Sequence, residues 1–374
     1  MGFGTKLAIF GRRLKGASLR RMNQNIGAIH QETGKNRALL LCDMIWCTLR
    51  YGVGYLDYHV FGFAQNRGAN RKTFMTMNHN VSLARMVNDA TYYPLLNDKF
   101  QFLQRYEAFL GRRWLDLREA DPQTLARFCQ DCGVVFAKPH AEFGGKGVER
   151  LEPGPDTDFV ALHRRLMDGG QFLVEEAIRQ HPEVARLCPQ SVNTLRVVTL
   201  LAEGEAKFVY ALLRIGSGQG HVDNISSGGM YTLVGAQGEL EFPAFCDQTG
   251  LYYDCHPMTG VTYRGYRLPF FQEAVDLCCR AALVEPRLGY IGWDVAITPD
   301  GPVLVEGNNL PGYDMAQNAR FHPDGRGLLP TFEALLGRPI PRATVLKVLK
   351  RRSACEQAAF VMNPYAGMRR ANRF

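Results

Sequence analysis

The stretch from Gly292 to Gly312, GWDVAITPDGPVLVEGNNLPG, restricts the folding of this chain more than any other. Two short apolar strands flank a Pro-Asp-Gly turn, and the strands carry Asp294 and then Glu306 with Asn308. If the loop is Pro299 to Gly301, hairpin pairing sets Asp294 directly opposite Glu306, and the period-2 alternation of a strand puts Asn308 on the same face. Like charges facing each other in a ladder repel. A divalent cation removes that penalty, because Mg²⁺ takes oxygen ligands from one or two protein carboxylates and completes its shell with phosphate oxygens. The segment reads as a platform for a Mg-nucleotide. The plainer alternative is an edge hairpin with two solvated acids, and the residues upstream must decide.

The chain has 374 residues, 46% of them apolar, which suffices for two or three subdomains around real cores. Its longest apolar run, Leu39 to Leu41 and on to Trp46, is broken by Asp43 and falls short of the roughly 18 residues a membrane span needs. The N-terminal residues lack the apolar core and cleavage site of a secretory signal. A cytoplasmic location is expected. Ten scattered cysteines, including adjacent Cys278 and Cys279, read as reduced thiols. Cys129 and Cys132 have C-x-x-C spacing at the end of an expected helix, with no second pair at zinc-site distance.

The net charge of +8 sits at the ends: residues 1 to 21 carry +6 and residues 338 to 374 carry +8, leaving −6 for the body. Such ends are either solvated tails or contacts for an anionic membrane surface, where each basic residue near the lipid contributes about 1 kcal/mol. Neither end has the interleaved aromatics of a single-strand nucleic-acid binder, so nucleic acid is not an expected partner.

Residues 1 to 93 read as mainly helical, with Gly-rich interruptions at Gly52 to Gly54 and near Gly68. Asn97 or Asp98 can cap a helix running through Leu110. Asp121-Pro122 opens a second helix that Gly133 closes. Then follow a strand at Val134 to Lys138, a Gly-rich loop, a strand at Gly147 to Leu151, a helix at Asp158 to Met167 and a strand at Gln171 to Glu175. That order describes a small α/β lobe. A larger sheet is expected from Thr194 to Ala202, Lys207 to Arg214, Tyr231 to Val234 and the hairpin, with a helix at Gln272 to Leu283 packed on it. The implied domains are a helical region 1–93, a small lobe 94–180, a large lobe 181–337 and a basic tail 338–374, helical at first.

Several groups point to phosphate chemistry. Lys138 ends an apolar strand, so its charge is aimed rather than diffuse. In the loop from Glu142 to Gly147, the glycines Gly144, Gly145 and Gly147 let backbone N–H groups approach phosphates closely, and Lys146 adds charge. The loop matches neither the P-loop nor the dinucleotide fingerprint. Leu173 to Ile178 is a buried strand running into the pair Glu175 and Glu176, suited to presenting backbone groups to a base edge, and Glu183 further on can bind ribose hydroxyls.

Taken in order, a lysine after an apolar strand, a Gly loop, a Val-Glu-Glu segment and then Asp…Glu-x-Asn-x-x-Pro-Gly resemble the ATP-grasp superfamily, which includes D-alanine:D-alanine ligase and glutathione synthetase. The resemblance is greatest to the sugar-transfer-associated ATP-grasp proteins. It is carried by Leu96 to Phe100, Ala137 to Pro139, Gly144 to Gly147, Ser191 to Thr199 and the closing hairpin, over about residues 95 to 335.

The resemblance implies an α+β ATP-grasp fold, two α/β lobes sandwiching ATP behind a mainly helical N-terminal region. It implies that Lys99 and Lys138 contact ATP, that Glu175, Glu176 and Ile178 line the adenine hinge with Glu183 at the ribose, and that Asp294, Glu306 and Asn308 hold Mg²⁺. Arg214, Asn224 and Arg196 resemble the arginines and asparagine that carboxylate-amine ligases place near the transferred phosphate. A guanidinium can hold two phosphoryl oxygens at once and keeps its charge at neutral pH. Some branches have Arg two residues before the metal-binding Asp, where this chain has Gly292, so Arg196 or Arg214 must supply that charge. His140, His221 and Asp223 are candidate proton acceptors for an amine, or plain polar loop residues.

A site of Lys, Arg and acids without a nucleophilic Ser or Cys motif suits phosphoryl transfer, which needs positioning and charge neutralisation. The expected activity is an ATP- and Mg-dependent carboxylate-amine ligase acting on a small-molecule acid and amine through an acyl phosphate, in cell-surface glycan or peptide-type metabolite biosynthesis. A kinase acting on a hydroxyl, and a nucleotide-binding scaffold of a glycan-assembly complex tethered through its basic ends, are the alternatives.

Overall fold

A computed structural model describes residues 19–139, 147–218 and 228–342. The chain forms two compact units, 1–86 with 312–374, and 87–311. In the first, the expected helical character appears as Leu19–Thr33, Arg37–Tyr51, Tyr55–Val60 and Met77–Val87. Gly52 ends the second of these in the left-handed conformation at φ 76°. The large lobe expected up to residue 337 stops sooner, because the chain from Gly312 onward packs with the N-terminal helices. Gln317 is the staple: it accepts from Met75 N at 2.8 Å and donates to Met75 O at 2.9 Å, and Tyr313 donates to Asp57 at 2.9 Å. Among the described residues no helix is long and apolar enough to cross a membrane.

The second unit begins with helix α1, Lys99–Arg105, whose N-cap Asp98 accepts from Phe100 N and Gln101 N. The helix does not continue to Leu110 as the spacing suggested. Tyr106 leaves helical geometry at φ −111°, and a 3₁₀ turn, Glu107–Phe109, follows. This break lets the Tyr106 ring pack on Phe102 and edge-on against Trp293 at 5.3 Å. The small lobe comprises β1, Trp114–Asp116; α2, Pro122–Cys132; β2, Val135–Lys138; β3, Glu149–Leu151; α3, Phe159–Asp168; and β4, Leu173–Glu176. Asp121 caps α2 and Gly133 closes it, as read from the sequence. The strands form an antiparallel sheet in the order β1-β4-β2-β3. Val135, Ala137 and Val174 point into the core that Leu125, Cys129 and Leu166 of the two helices complete. By alternation Phe136, Lys138 and Glu175 occupy the opposite face.

The large sheet is built from β5, Leu195–Ala202; β6, Glu205–Ile215; β7, Met230–Val234; β8, Glu239–Leu240; β9, Ala244–Cys246; β10, Leu251–Tyr253; β11, Tyr266–Arg267; β12, Tyr290–Thr298; and β13, Gly301–Asn308. Its main path runs β10-β9-β7-β6-β5-β12-β13. Helix α4, Phe271–Ala282, packs its Ala274, Cys278 and Ala281 with Val197, Leu213, Trp293, Val295 and Leu304 of the sheet. Those strand residues define the core face, so their immediate neighbours Arg196, Arg214 and Asp294 face the other way.

The hairpin reaches the expected pairing by an unexpected route. The loop is Pro299-Asp300, with Thr298 opposite Gly301, one residue shorter than the turn chemistry suggested. A bulge restores the register, because Val295 faces Leu304 while Asp294 faces Glu306, leaving Val305 as the extra residue. Without it Glu306 would lie on the core face. The bulge therefore lets Leu304 enter the core while Glu306 and Asn308 share a face with Asp294.

Candidate functional site

Two clusters lie on the outward faces of these sheets. In the small lobe, Lys138 and Glu175 sit diagonally across the β2–β4 ladder and form an ion pair. Glu175 is buried, and Arg112 binds it from the other side: Arg112 Nε and Nη2 donate to Oε1 at 2.9 and 2.6 Å. Burial pushes the Glu175 carboxyl up, but Arg112 and Lys138 outweigh it and bring it down to about 2. Lys99 donates to Pro139 O at 2.8 Å, so both candidate lysines converge where the Gly-rich loop leaves β2. Gly144, Gly145 and Lys146 fall outside the described residues. Gly147 lies at the loop's far edge, where its carbonyl accepts from Gln171 at 2.9 Å.

Glu176 points away from Glu175 and accepts from Arg113 Nε at 3.2 Å. The chain then leaves the small lobe through half-buried Ile178, and His181 N donates to Ile297 O of β12 at 2.7 Å. Glu183 stands apart. It is exposed, pairs with Arg186 at 2.9 Å, and lines an open cavity of about 660 Å³ with Thr259, Tyr266 and Arg267. That cavity's lining includes neither Lys138, Glu175 nor Asp294.

The second cluster lies across β6, β5, β12 and β13. Asp294, 2% exposed, is held by two arginines: Arg196 donates through Nε and, at 2.9 Å, through Nη2, and Arg214 Nη1 donates at 2.8 Å. Burial would raise this carboxyl, and the two guanidinium groups instead keep it well below the usual carboxylate range. Glu306, opposite, is pushed up by its crowded surroundings and by the Asp294 carboxylate, although its side chain still reaches solvent. Asn308 donates through Nδ2 to Gly292 O at 3.3 Å, which leaves its amide oxygen as the group this bond does not use. Asn224, His140, His221 and Asp223 lie outside the described residues.

The donor set fits a hard divalent cation. Two carboxylates and an amide share one strand face, few enough that water and phosphate oxygens would have to complete the shell. Among the described residues no group of three or more His, Cys, Asp or Glu side chains converges as a self-sufficient metal site. Cys129 is buried and Cys132 half-buried, and burial raises both thiols, which is the opposite of a reactive pair.

Gly292 also finds its reason here. A Cβ at that position would meet Pro311 Cβ at 3.0 Å and Arg196 Cδ at 3.2 Å. Any side chain there would crowd Pro311 first and Arg196 next.

Two residues escaped the sequence reading. Arg112 lies in a loop without a motif, and only its burial shows that it serves both Glu175 and β13. Asn193, inside the Ser191 to Thr199 segment, is buried and ties the chain together: Nδ2 donates to Val184 O and Cys188 O, and Oδ1 accepts from Gly216 N.

Residues 162–334 match the sugar-transfer associated ATP-grasp family. That match covers a little under half of the chain, and the described residues have the α+β organisation expected of an ATP-grasp fold. None of the curated proteins compared with the sequence matches it. Similar solved structures include the ATP-grasp ligase PsnB complexed with a phosphomimetic variant of its minimal precursor, Mg and ADP, at 19% identity and TM-score 0.39, covering 67% of this chain and 61% of that one. N5-carboxyaminoimidazole synthase from Aspergillus clavatus with ADP and its ribonucleotide is similar at 14% identity and TM-score 0.39, covering 69% and 56%. D-alanyl-alanine synthetase A from Vibrio cholerae O1 biovar eltor is similar at 13% identity and TM-score 0.36, covering 65% and 61%. The chain thus spans about three fifths of the length of these structures.

Proposed function

We propose that the protein is an ATP- and Mg²⁺-dependent carboxylate-amine ligase that forms an amide through an acyl phosphate, in cell-surface glycan or peptide-type metabolite synthesis. The observation that carries this reading is the Asp294–Glu306–Asn308 face with Arg196 and Arg214 fixed beside it. Lys138 and Lys99 would bind nucleotide phosphates, helped by Gly144, Gly145, Lys146 and Gly147, and Glu175, Glu176 and Ile178 would border the base, with Glu183 toward the ribose. Asp294, Glu306 and Asn308 would hold Mg²⁺, which supplies charge neutralisation at the phosphates. Arg196 and Arg214, with Asn224, would steady the phosphoryl group as a substrate carboxylate oxygen attacks the γ-phosphorus and ADP leaves. The amine then attacks the acyl carbon, inorganic phosphate departs, and the amine's proton passes to solvent or a loop base. The reaction is placed in the cytoplasm, with the basic ends toward an anionic membrane surface.

The test is incubation of the purified protein with Mg-ATP in a small-molecule extract, read by mass spectrometry, with hydroxylamine as a trap and Glu306→Gln as control. A ligase releases ADP and phosphate only when acid and amine are both present, and acid alone yields a hydroxamate. A phosphorylated product stable without an amine would replace the ligase with a kinase. Mg-ATP binding without turnover would leave a scaffold. If Glu306→Gln reacts as fast as the parent, the metal assignment is wrong.

A further inference from the structure

Arg112 lies in the loop before β1, and its side chain is 4% exposed. Besides its two bonds to Glu175, its Nη1 donates to Leu304 O at 2.5 Å and to Leu110 O at 3.3 Å, and its Nη2 donates to Val305 O at 3.4 Å. One guanidinium therefore joins the acid that holds Lys138 to the two residues that make the bulge of β13. Only a planar fork with five N–H donors can serve such a set at once; a lysine ammonium is a compact point charge with three.

β13 is the edge strand of its sheet, where the bulge leaves Val305 unpaired, and the carbonyls of Leu304 and Val305 take their donor from Arg112. The same bulge sets the phase of the next residues, Glu306 and Asn308, and so decides that they face Asp294 rather than the core.

We infer that Arg112 is a positioning residue that sets the lysine arm and the metal arm of the site in one register across the two sheets. Through Glu175 it orients Lys138; through the carbonyls of Leu304 and Val305 it holds Glu306 and Asn308. Ordering one arm then orders the other. The inference rests on the nucleotide and metal reading proposed above.

The experiment measures binding of a non-hydrolysable ATP analogue by calorimetry, with EDTA and with Mg²⁺, for the parent, Arg112→Lys, Glu306→Gln and the double variant. The parent is expected to bind more tightly with Mg²⁺. Arg112→Lys should lose that metal-dependent gain by a factor on the order of ten to a hundred, the usual effect of removing a group that orients a metal ligand. Glu306→Gln should cost less metal-dependent binding in the Arg112→Lys background than in the parent, since both changes act on the metal arm. A purely structural arginine would lower stability and leave the metal-dependent gain intact, and that result overturns the inference alone. A folded parent that binds no analogue, or binds it without help from Mg²⁺, overturns the site reading and the inference with it.

If Arg112→Lys does not fold, hydrogen exchange on the parent decides. The metal-free analogue should protect amides at 303–308 as well as those at 135–138 and 173–176. Protection confined to the small sheet refutes the coupling.

Discussion

Glu175 is the most exacting stability test of the site, because a buried carboxylate between two cations ties folding to pH in a calculable way. Its folded pKa lies near 2 against 4.5 for the free side chain. A depressed carboxyl stabilises the fold fully above its unfolded pKa, and loses that contribution as pH falls toward the folded value. The shift corresponds to about 3 kcal/mol in full, of which about 2 kcal/mol is gone by pH 3. Glu175→Gln has no such proton to take up. At neutral pH it leaves Arg112 and Lys138 without their counter-charge and should cost about 3–5 kcal/mol. The gap between parent and variant should then close by about 2 kcal/mol between pH 5.5 and pH 3. The chain has three tryptophans, and Trp114 and Trp293 both lie in the 87–311 unit, so a Trp46→Phe background makes fluorescence during urea unfolding report that unit alone. A gap constant across that range to within about 0.5 kcal/mol would refute the ion-network account of Glu175.

The two acids of the hairpin should respond in opposite senses. Asp294→Asn strands Arg196 and Arg214 and should lower stability by about 3–5 kcal/mol. Glu306→Gln removes a like charge facing Asp294 and should leave stability unchanged or raise it by up to about 1 kcal/mol, while abolishing the metal-dependent part of nucleotide binding. Denaturant unfolding and calorimetry of the two variants check both. Gly111→Ala should cost about 2 kcal/mol or more in the same unfolding assay, because Gly111 sits at φ +56° and a Cβ there would come within 2.3 Å of Val303 Cγ1. In a Cys355→Ser background, exposed Cys42 and Cys255 should react first with a thiol reagent, and Cys129 and Cys278 only on unfolding. Fast labelling of Cys129 would refute its burial under the small sheet.

Much of the fold was legible because local signals and the final packing agree. Asp121-Pro122 and Gly133 bracket α2 as their chemistry dictates, and the strand expected at Val134 to Lys138 appears as β2, Val135–Lys138. The failures have physical causes. The spacing of Phe100, Leu103 and Tyr106 extends helically to Leu110, but Tyr106 gives up helical geometry for its contact with Trp293, a partner some 190 residues away. The end of the large lobe was illegible because Gln317 serves Met75 N and O, and side chain-to-backbone bonds of that range leave no periodicity. In the candidate site, residue types marked which groups to consider for phosphate or metal, yet not that Asp294 would be shared by two guanidinium groups. That depends on Arg196 and Arg214 projecting from neighbouring strands onto one face.

The hairpin shows how far a correct pairing can rest on a compensated error. A turn one residue too long and a bulge no pattern announces cancel, so Asp294 meets Glu306 either way. The two routes differ in their consequences. A plain hairpin would hold Glu306 by ladder bonds alone, and its position would be a property of β12 and β13. In the bulged one the carbonyls of Leu304 and Val305 accept from an arginine whose other bonds hold the acid partner of Lys138. If the coupling inferred for Arg112 holds, substitutions at Leu110, Arg112 or Glu175, none of them near Asp294 in sequence, should alter metal-assisted binding before those on strand β3 do.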